Sequence, residues 1–497
     1  MLIVRQNRVG VQKLFRRFGH FSLIVTLSFS VLSAQQSFKD FKKSQTETFK
    51  AYKDERDSAF SNYLKQEYKE YILEESKALY EKQKPITIEP AKPKEIKPVG
   101  PKISIKIRAD EKKEEEVIAV PLKQAVLTPS EKKSKDISFD FYGLNVGFDL
   151  ADGIKKANFY PTNQTGITNF FDSAASSDYE PLLLDIQKLS KTMNLNDWGI
   201  YLLVSKISDN TYENRDNAKL LSWFLLSKLG YDLKVGLDKK HIVLMHHSLK
   251  TIYAAPSCSF GEKKYYVLSD YAKNDNGRVF SYKQDYPGST KPLNLSLDTL
   301  PVLKENFESK VLTFFHFEKR YDIPVSYNKN LIDFMASYPQ ADYETFFNAP
   351  LETKTYKDLA VTIKKYIDGK KASEAMNFVL SFVQKSFKYE QDNKQFGKEK
   401  VMFAQETLYF EKSDCEDRAV LFSYLIKELF DVSVIGVKYE DHMATALYIP
   451  LDGEKVKSGS REFVIADPTY INAIIGETMP KYRSIQPQSY IIVKGRM

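Results

Sequence analysis

Apolar residues recur at helical spacing in the stretch CEDRAVLFSYLIKELF, at Ala419, Leu421, Phe422, Leu425, Ile426 and Leu429, directly after a turn-like Lys412-Ser413-Asp414. The pattern predicts a helix with Cys415 in its first turn. Two short segments rich in β-formers follow, HMATALYI from His442 and EFVIAD ending at Asp467, each bounded by turn residues. The predicted order is helix with Cys, strand with His, strand with Asp. A further helical stretch runs from Tyr356 to Tyr389 and supplies an apolar wall behind the cysteine helix.

The same succession occurs earlier in the chain. NRDNAKLLSWFLLSKLGYDLKVG, from Asn214, overlays SDCEDRAVLFSYLIKELFDVSVI, from Ser413, with a shift near 200. A strand pattern opening at His241 then matches the one at His442, and KKYYVLSD ending at Asp270 matches REFVIAD ending at Asp467. Arg215 stands where the later copy has Cys415, and a guanidinium has no nucleophilic lone pair. The first copy is therefore expected to be catalytically dead, with His241 and Asp270 kept side by side by the fold. Aromatic-rich segments between Arg278 and Gln340 suggest strands joining the two copies.

Before residue 136 the pattern changes character. Residues 1–34 read as an export signal: a basic start, an apolar run from Phe21 to Leu32 too short for a comfortable membrane span, and small residues suggesting cleavage near Ala34. Leu32 fits that cleavage pattern imperfectly, so an uncleaved membrane anchor is the alternative. Residues 35–82 lack Gly and Pro from Ser37 to Glu81, and their aromatics advance by 11, at Phe38, Phe49, Phe60 and Tyr71 and at Phe41, Tyr52 and Tyr63. Eleven residues are three helical turns, so one long helix with an aromatic stripe over 38–81 is predicted, suited to packing on a partner chain, on itself or on the later domains. Residues 83–135 hold Pro85, Pro90, Pro93, Pro98 and Pro101 among lysines and read as an extended linker that spaces this helix from the globular part.

Composition changes this picture little. The 497 residues are 42% hydrophobic and 13% aromatic, as a globular chain with substantial β-structure would be. The formal charge of +8 taken alone points to a polyanion, yet Arg5, Arg8, Lys13, Arg16 and Arg17 lie in the first 34 residues with no acid among them. No nucleic-acid partner is expected, nor a stable membrane span once the signal is cleaved. Cys258 and Cys415 are the only cysteines, and pairing them would silence the candidate nucleophile, so two free thiols are expected. His246 and His247 are adjacent on a predicted strand and face opposite sides, His316 lies between Phe315 and Phe317, and Trp198 and Trp223 fit helix cores. No metal or cofactor is called for.

Singly, a helical cysteine is most often a small buried hydrophobe, and Asp before Pro most often starts a turn. In combination, SDCEDRAVLF, a histidine 27 residues on and DPTY a further 25 on resemble the transglutaminase-like superfamily, with its papain-like Cys-His-Asp thiol-enzyme core. The resemblance covers roughly Tyr356 to Met479. It implies Cys415 as nucleophile, His442 as general base and acid, and Asp467 as the group that orients the histidine. A helix N-terminus and a neighbouring imidazolium would lower the thiol pKa below the usual ~8.5. Gln405 in FAQETLYF is the candidate oxyanion donor beside the Cys415 backbone N–H.

The expected architecture is α+β: residues 136–345 a degenerate transglutaminase-like module with connecting β segments, residues 346–497 an intact one. The expected function is acyl transfer or hydrolysis on an amide in a protein or peptide substrate, in the periplasm or cell envelope. The alternative is a non-catalytic envelope binding or assembly protein on the same scaffold, its aromatic helix docking a partner chain.

Overall fold

A computed structural model of the protein describes residues 51–66, 68–75, 77–80, 82–107, 134–268 and 277–495. The expected signal over 1–34, the aromatic positions before residue 51, and Asp270 lie outside the described residues. The chain divides into two compact parts, residues 1–63 and 64–497. Helical residues 51–63 are the described structure of the first part. Among the described residues no helix is long and apolar enough to cross a membrane.

The second part mixes helices and strands. After a hairpin over 137–148 and a short helix over 152–156, its first module carries helices α1 (Gln164–Ala175), α2 (Glu180–Thr192), α3 (Asp197–Thr211) and α4 (Arg215–Lys228). Asn side chains start three of them: Asn163, Asn196 and Asn214 each accept backbone N–H groups of the first turn of α1, α3 and α4. A sheet follows, built with β1 (Lys69–Ile72), β2 (Leu233–Asp238), β3 (His241–His247), β4 (Ser257–Phe260), β5 (Lys263–Tyr266) and β6 (Arg278–Ser281). The strand order is β1-β6-β2-β3-β5-β4, antiparallel throughout. A bridge between Glu74 and Ser257 joins the chain just after β1 to β4, so the first and last strands of the order meet. Leu73, Val243, Met245, Cys258, Phe260, Tyr265, Val267 and Val279 form the core this closure seals.

A long hairpin, β7 (Phe307–His316) and β8 (Lys319–Asn328), leads to the second module. His316 ends β7 with Nδ1 2.9 Å from Ser381 Oγ, a packed strand residue. The predicted helical stretch from Tyr356 is two helices, α5 (Thr353–Ile367) and α6 (Ala372–Lys385), broken where Gly369 takes φ +78°. After α7 (Ala404–Tyr409) comes α8 (Cys415–Phe430), whose first residue is Cys415. It lies against β9 (Val434–Lys438) and β10 (Met443–Leu447) of a sheet completed by β11 (Lys455–Ser458), β12 (Arg461–Ala466) and β13 (Ser489–Ile492). The order here is β13-β9-β10-β12-β11, again antiparallel.

Laid side by side, the two modules have one topology. In each, a helix is followed by five strands of one sheet whose chain order 1 to 5 becomes the sheet order 5-1-2-4-3, with the short strand Ile252–Tyr253 of the first module pairing outside it, and Arg215 and Cys415 are each the first residue of that helix. The first module differs by the added strand β1.

Two predicted elements are corrected. The helix foreseen over 35–82 ends at residue 64, and Lys69–Ile72 is a strand. Tyr71 keeps its place in the 11-residue spacing, yet its backbone pairs with Val279 of β6 and its ring meets Phe260 at 4.0 Å. Closing a sheet that would otherwise expose an edge outweighs intrinsic helix preference. The proline-rich segment is likewise no free spacer. From 82 to 105 it is a strap hydrogen-bonded to the body: Ala91 N–H to Ile471 O (2.8 Å), Ser373 N–H to Val99 O (3.1 Å), Ala372 N–H to Pro101 O (2.9 Å), Ile103 N–H to Lys370 O (2.8 Å); described residues 77–80 lead into it. Prolines have no N–H to donate, so at these positions the strap contributes carbonyls, as Pro101 does, while its other residues supply the N–H groups. Residues 108–133 lie outside the described residues.

Since Leu73 is buried in the closed core, Leu73→Ala should cost about 2–5 kcal/mol in urea unfolding. A change near zero would mean that residues 68–75 do not belong to this sheet.

Candidate functional site

The site is assembled where α8 meets the β9–β10 turn and the loop after β12. His442 and Asp467 are fully buried, and His442 Nε2 lies 2.9 Å from Asp467 Oδ2. The second carboxylate oxygen, Oδ1, accepts the N–H groups of Thr469 (2.9 Å) and Tyr470 (3.2 Å). The sequence DPTY therefore folds into a turn that fixes the carboxylate by its own backbone. Gln384 of α6 braces the loop, its amide donating to the carbonyls of Asp467 (3.0 Å), Tyr470 (2.8 Å) and Ala473 (3.1 Å). The imidazole stacks on Tyr482 (4.9 Å, 18°), whose hydroxyl donates to Asp441 Oδ1 at 3.0 Å. Ring orientation is thus set from the face and from the edge, while Nδ1 is buried with no hydrogen-bond partner.

Cys415 is brought to this neighbourhood but is not hydrogen-bonded to His442. Its Sγ–H donates to Glu416 Oε2 at 3.1 Å, and the Tyr80 hydroxyl stands 3.9 Å from the sulfur. Tyr80 also donates to Glu416 Oε2 (3.1 Å), and Glu416 Oε1 accepts from Lys84 Nζ (2.8 Å). Lys84, from the strap, is itself buried. Its ammonium donates to Asp392 (2.9 Å), Asp414 and Glu416, and forms an ion pair with Glu399 at 2.6 Å. Three N–H groups serve three carboxylates, and the fourth is held by charge alone.

This surrounding reverses the expected thiol chemistry. Burial first, then the charges of Glu416 and Asp414, push the Cys415 thiol well above its ordinary pKa, and Lys84 offsets only part of this. A helix N-terminus carries about half a unit charge, too little against adjacent buried carboxylates. The three acids of SDCED were the visible sign. Around Lys84 the carboxylates divide. Burial would raise Glu416, but Lys84 outweighs it and brings this group below the usual range. Burial and the charge on Glu416 push the Asp392 carboxyl up to about 7, and burial with Glu416 also raises Asp414.

Beneath the thiol, α8 is anchored by a fully buried Arg418, which donates to Ser413 Oγ (3.0 Å), Gln384 O (3.3 Å) and Phe387 O (2.8 Å). Asp417 accepts the N–H groups of Met402 (2.8 Å) and Asp414 (3.1 Å), which fixes the entry to the helix.

One predicted placement is corrected. Gln405 is buried with its amide committed elsewhere, donating to Thr355 Oγ1 (2.9 Å) and accepting from Glu352 N–H (3.2 Å), so it is no oxyanion donor to Cys415. In the first module His241 is exposed, its Nδ1 3.1 Å from Asp216 Oδ2 in the first turn of α4, and Asp270 lies outside the described residues. Asp216 thereby ties the start of β3 to the first turn of α4, its Oδ1 accepting the Ile242 N–H at 2.8 Å. Arg215 is exposed. Cys258 and Cys415 are both free thiols. Sequence reasoning missed Tyr80, Lys84, Asp392 and Gln384: one lysine in a lysine-rich stretch carries no mark of burial. No protein-family model matches this chain, and no curated protein matches its sequence.

Two outcomes follow from the electrostatics. Alkylation of Cys415 in the folded protein should be slow at pH 7 to 8 and rise only above the ~8.5 of a free thiol, as iodoacetamide rates against pH would reveal. Asp392 binds its proton more tightly folded than unfolded, so its contribution to stability is present at low pH and lost as pH rises toward about 7. Relative to Asp392→Asn, the wild type should lose stability between pH 5 and pH 7.5, measured by urea unfolding at each pH.

Proposed function

We propose that this chain is a transglutaminase-like thiol enzyme acting on an amide of a protein or peptide, with Cys415 as nucleophile. The single observation that carries the reading is the buried His442–Asp467 pair beside a helix whose first residue is a cysteine. The Asp467 carboxylate fixes the ring through Nε2 and leaves Nδ1, buried and unbonded, as the nitrogen to take the thiol proton. Cys415 would attack the carbonyl, His442 would pass the proton to the leaving amine, and water or an acceptor amine would resolve the thioester. The shared strand order supports reading the first module as a degenerate copy, with Arg215 in the place of the nucleophile. The basic and apolar start of the chain supports a place in the cell envelope.

A second reading has its own observation. The thiol is fully buried and tied to Glu416, as suits a scaffold that has kept the pair for the sake of its core and binds or assembles without catalysis. Mass spectrometry after incubation with an activated acyl ester separates the two. An enzyme should give a thioester adduct on Cys415, absent in Cys415→Ala and slowed about 10²–10⁴-fold in His442→Ala. Adduct formation indifferent to His442 would leave only the scaffold.

A further inference from the structure

Tyr80 and Lys84 reach the thiol from a part of the chain with no place in the helix–sheet module. They lie on one short run of the strap, held at both ends: Tyr343 OH donates to Leu79 O (3.4 Å), Lys82 N–H to Glu440 O (3.3 Å), Gln391 to Lys84 O (2.6 Å), and Tyr389 OH to Pro85 O (2.8 Å). Glu440 is two residues before His442, so this run crosses between the loop of the histidine and the helix of the cysteine. Its hydroxyl and its ammonium converge on one carboxylate, Glu416, which also holds the thiol proton.

Resting on the reading of Cys415 as nucleophile, we propose that Tyr80 and Lys84 of the strap are an internal blocking ligand of the thiol site. On this view the pocket of Asp392, Glu399, Asp414 and Glu416 is a recognition subsite for a primary ammonium on the ligand that displaces it. The carboxylates alone would say nothing; the occupant defines them. A primary ammonium is already lodged there with all three N–H groups donated, and Asp414 Oδ1 is buried without a partner of its own. Lys84 stays protonated in this setting: burial opposes the charge, but Glu416, Asp414 and Asp392 outweigh it. A group held so is a handle for recognition and not an acceptor amine. Withdrawing the run removes Tyr80 from the sulfur and frees Glu416 from Lys84, with no covalent step.

The test uses Cys258 as an internal standard, since it is buried in the first-module core, where burial pushes its thiol up to about 12. In Lys84→Ala the strap loses its anchor in this pocket, and iodoacetamide labelling of the buried Cys415 at pH 8 should rise at least about tenfold over wild type through exposure of the sulfur, although the ammonium that partly offsets the raised thiol pKa is gone, with Cys258 unchanged. Ethylammonium chloride should then restore protection of Cys415, whereas tetramethylammonium, which has charge but no N–H, should not. Labelling of both thiols together would mean general unfolding, and labelling of neither would mean a passive structural contact; either overturns the proposal. Protection by calcium chloride equal to that by ethylammonium would overturn the ammonium class. If Lys84→Ala does not fold, Lys84→Gln keeps most of the length without the charge and must give the same order of thiol reactivities. These readouts need neither substrate nor His442, so they can fail while the acyl adduct forms, or succeed while it does not.

Discussion

An ammonium has three hydrogens to give, and in this protein one ammonium stands among four carboxylates. That imbalance organises the second module. Lys84 can neutralise one charge in full, so Glu416 is the group it keeps ionised, while Asp392 and Asp414 rise toward their neutral forms. Buried charge of this kind is costly unless paired, and breaking such a pair costs more than it gained on forming. The strap is thereby tied to the first turn of α8, and Cys415 receives its hydrogen-bond partners from the same cluster.

A backbone consequence runs in parallel. The segment that carries Lys84 begins as β1, which closes the first-module sheet through Glu74 and Ser257, and ends against α6 around residue 373. One continuous stretch thus serves the core of the first module, the thiol of the second and the outer side of α6. Loss of pairing at either end lowers the cost of releasing the middle, since the loop-closure entropy that both anchors share would no longer be met.

How much of this was legible in the sequence divides along a physical line. Local periodicity located α4 and α8, and the alternation after them located the paired strands, because those signals reside in consecutive residues. The turn at Asp467 was legible for the same reason: Asp, Pro and Thr act on their own backbone. What could not be read were interactions whose two halves lie far apart. Lys84 meets Glu416 across more than 300 residues, and nothing near Lys84 distinguishes it from Lys92 or Lys97, which are exposed. Tyr71 is the sharper case, since a regular 11-residue spacing continued through a segment whose backbone pairs as a strand. Periodicity reports which side chains would share a face if the segment were helical; it does not report which backbone edge is waiting for a partner.

The thiol shows the same division at the level of chemistry. Position alone argued for activation, because a cysteine at a helix start feels the unpaired N–H groups there. Context argued the opposite, and its magnitude decides. A half charge at the helix end competes with a full carboxylate that accepts a hydrogen bond from the thiol at 3.1 Å, in an interior that screens charge far less than water does. The local field therefore favours the neutral thiol for as long as Glu416 holds its place. Since Glu416 is kept ionised by Lys84, the residue that holds the thiol proton depends for its charge on a side chain more than 300 positions earlier, and the reactivity of Cys415 is set by the strap before it is set by His442.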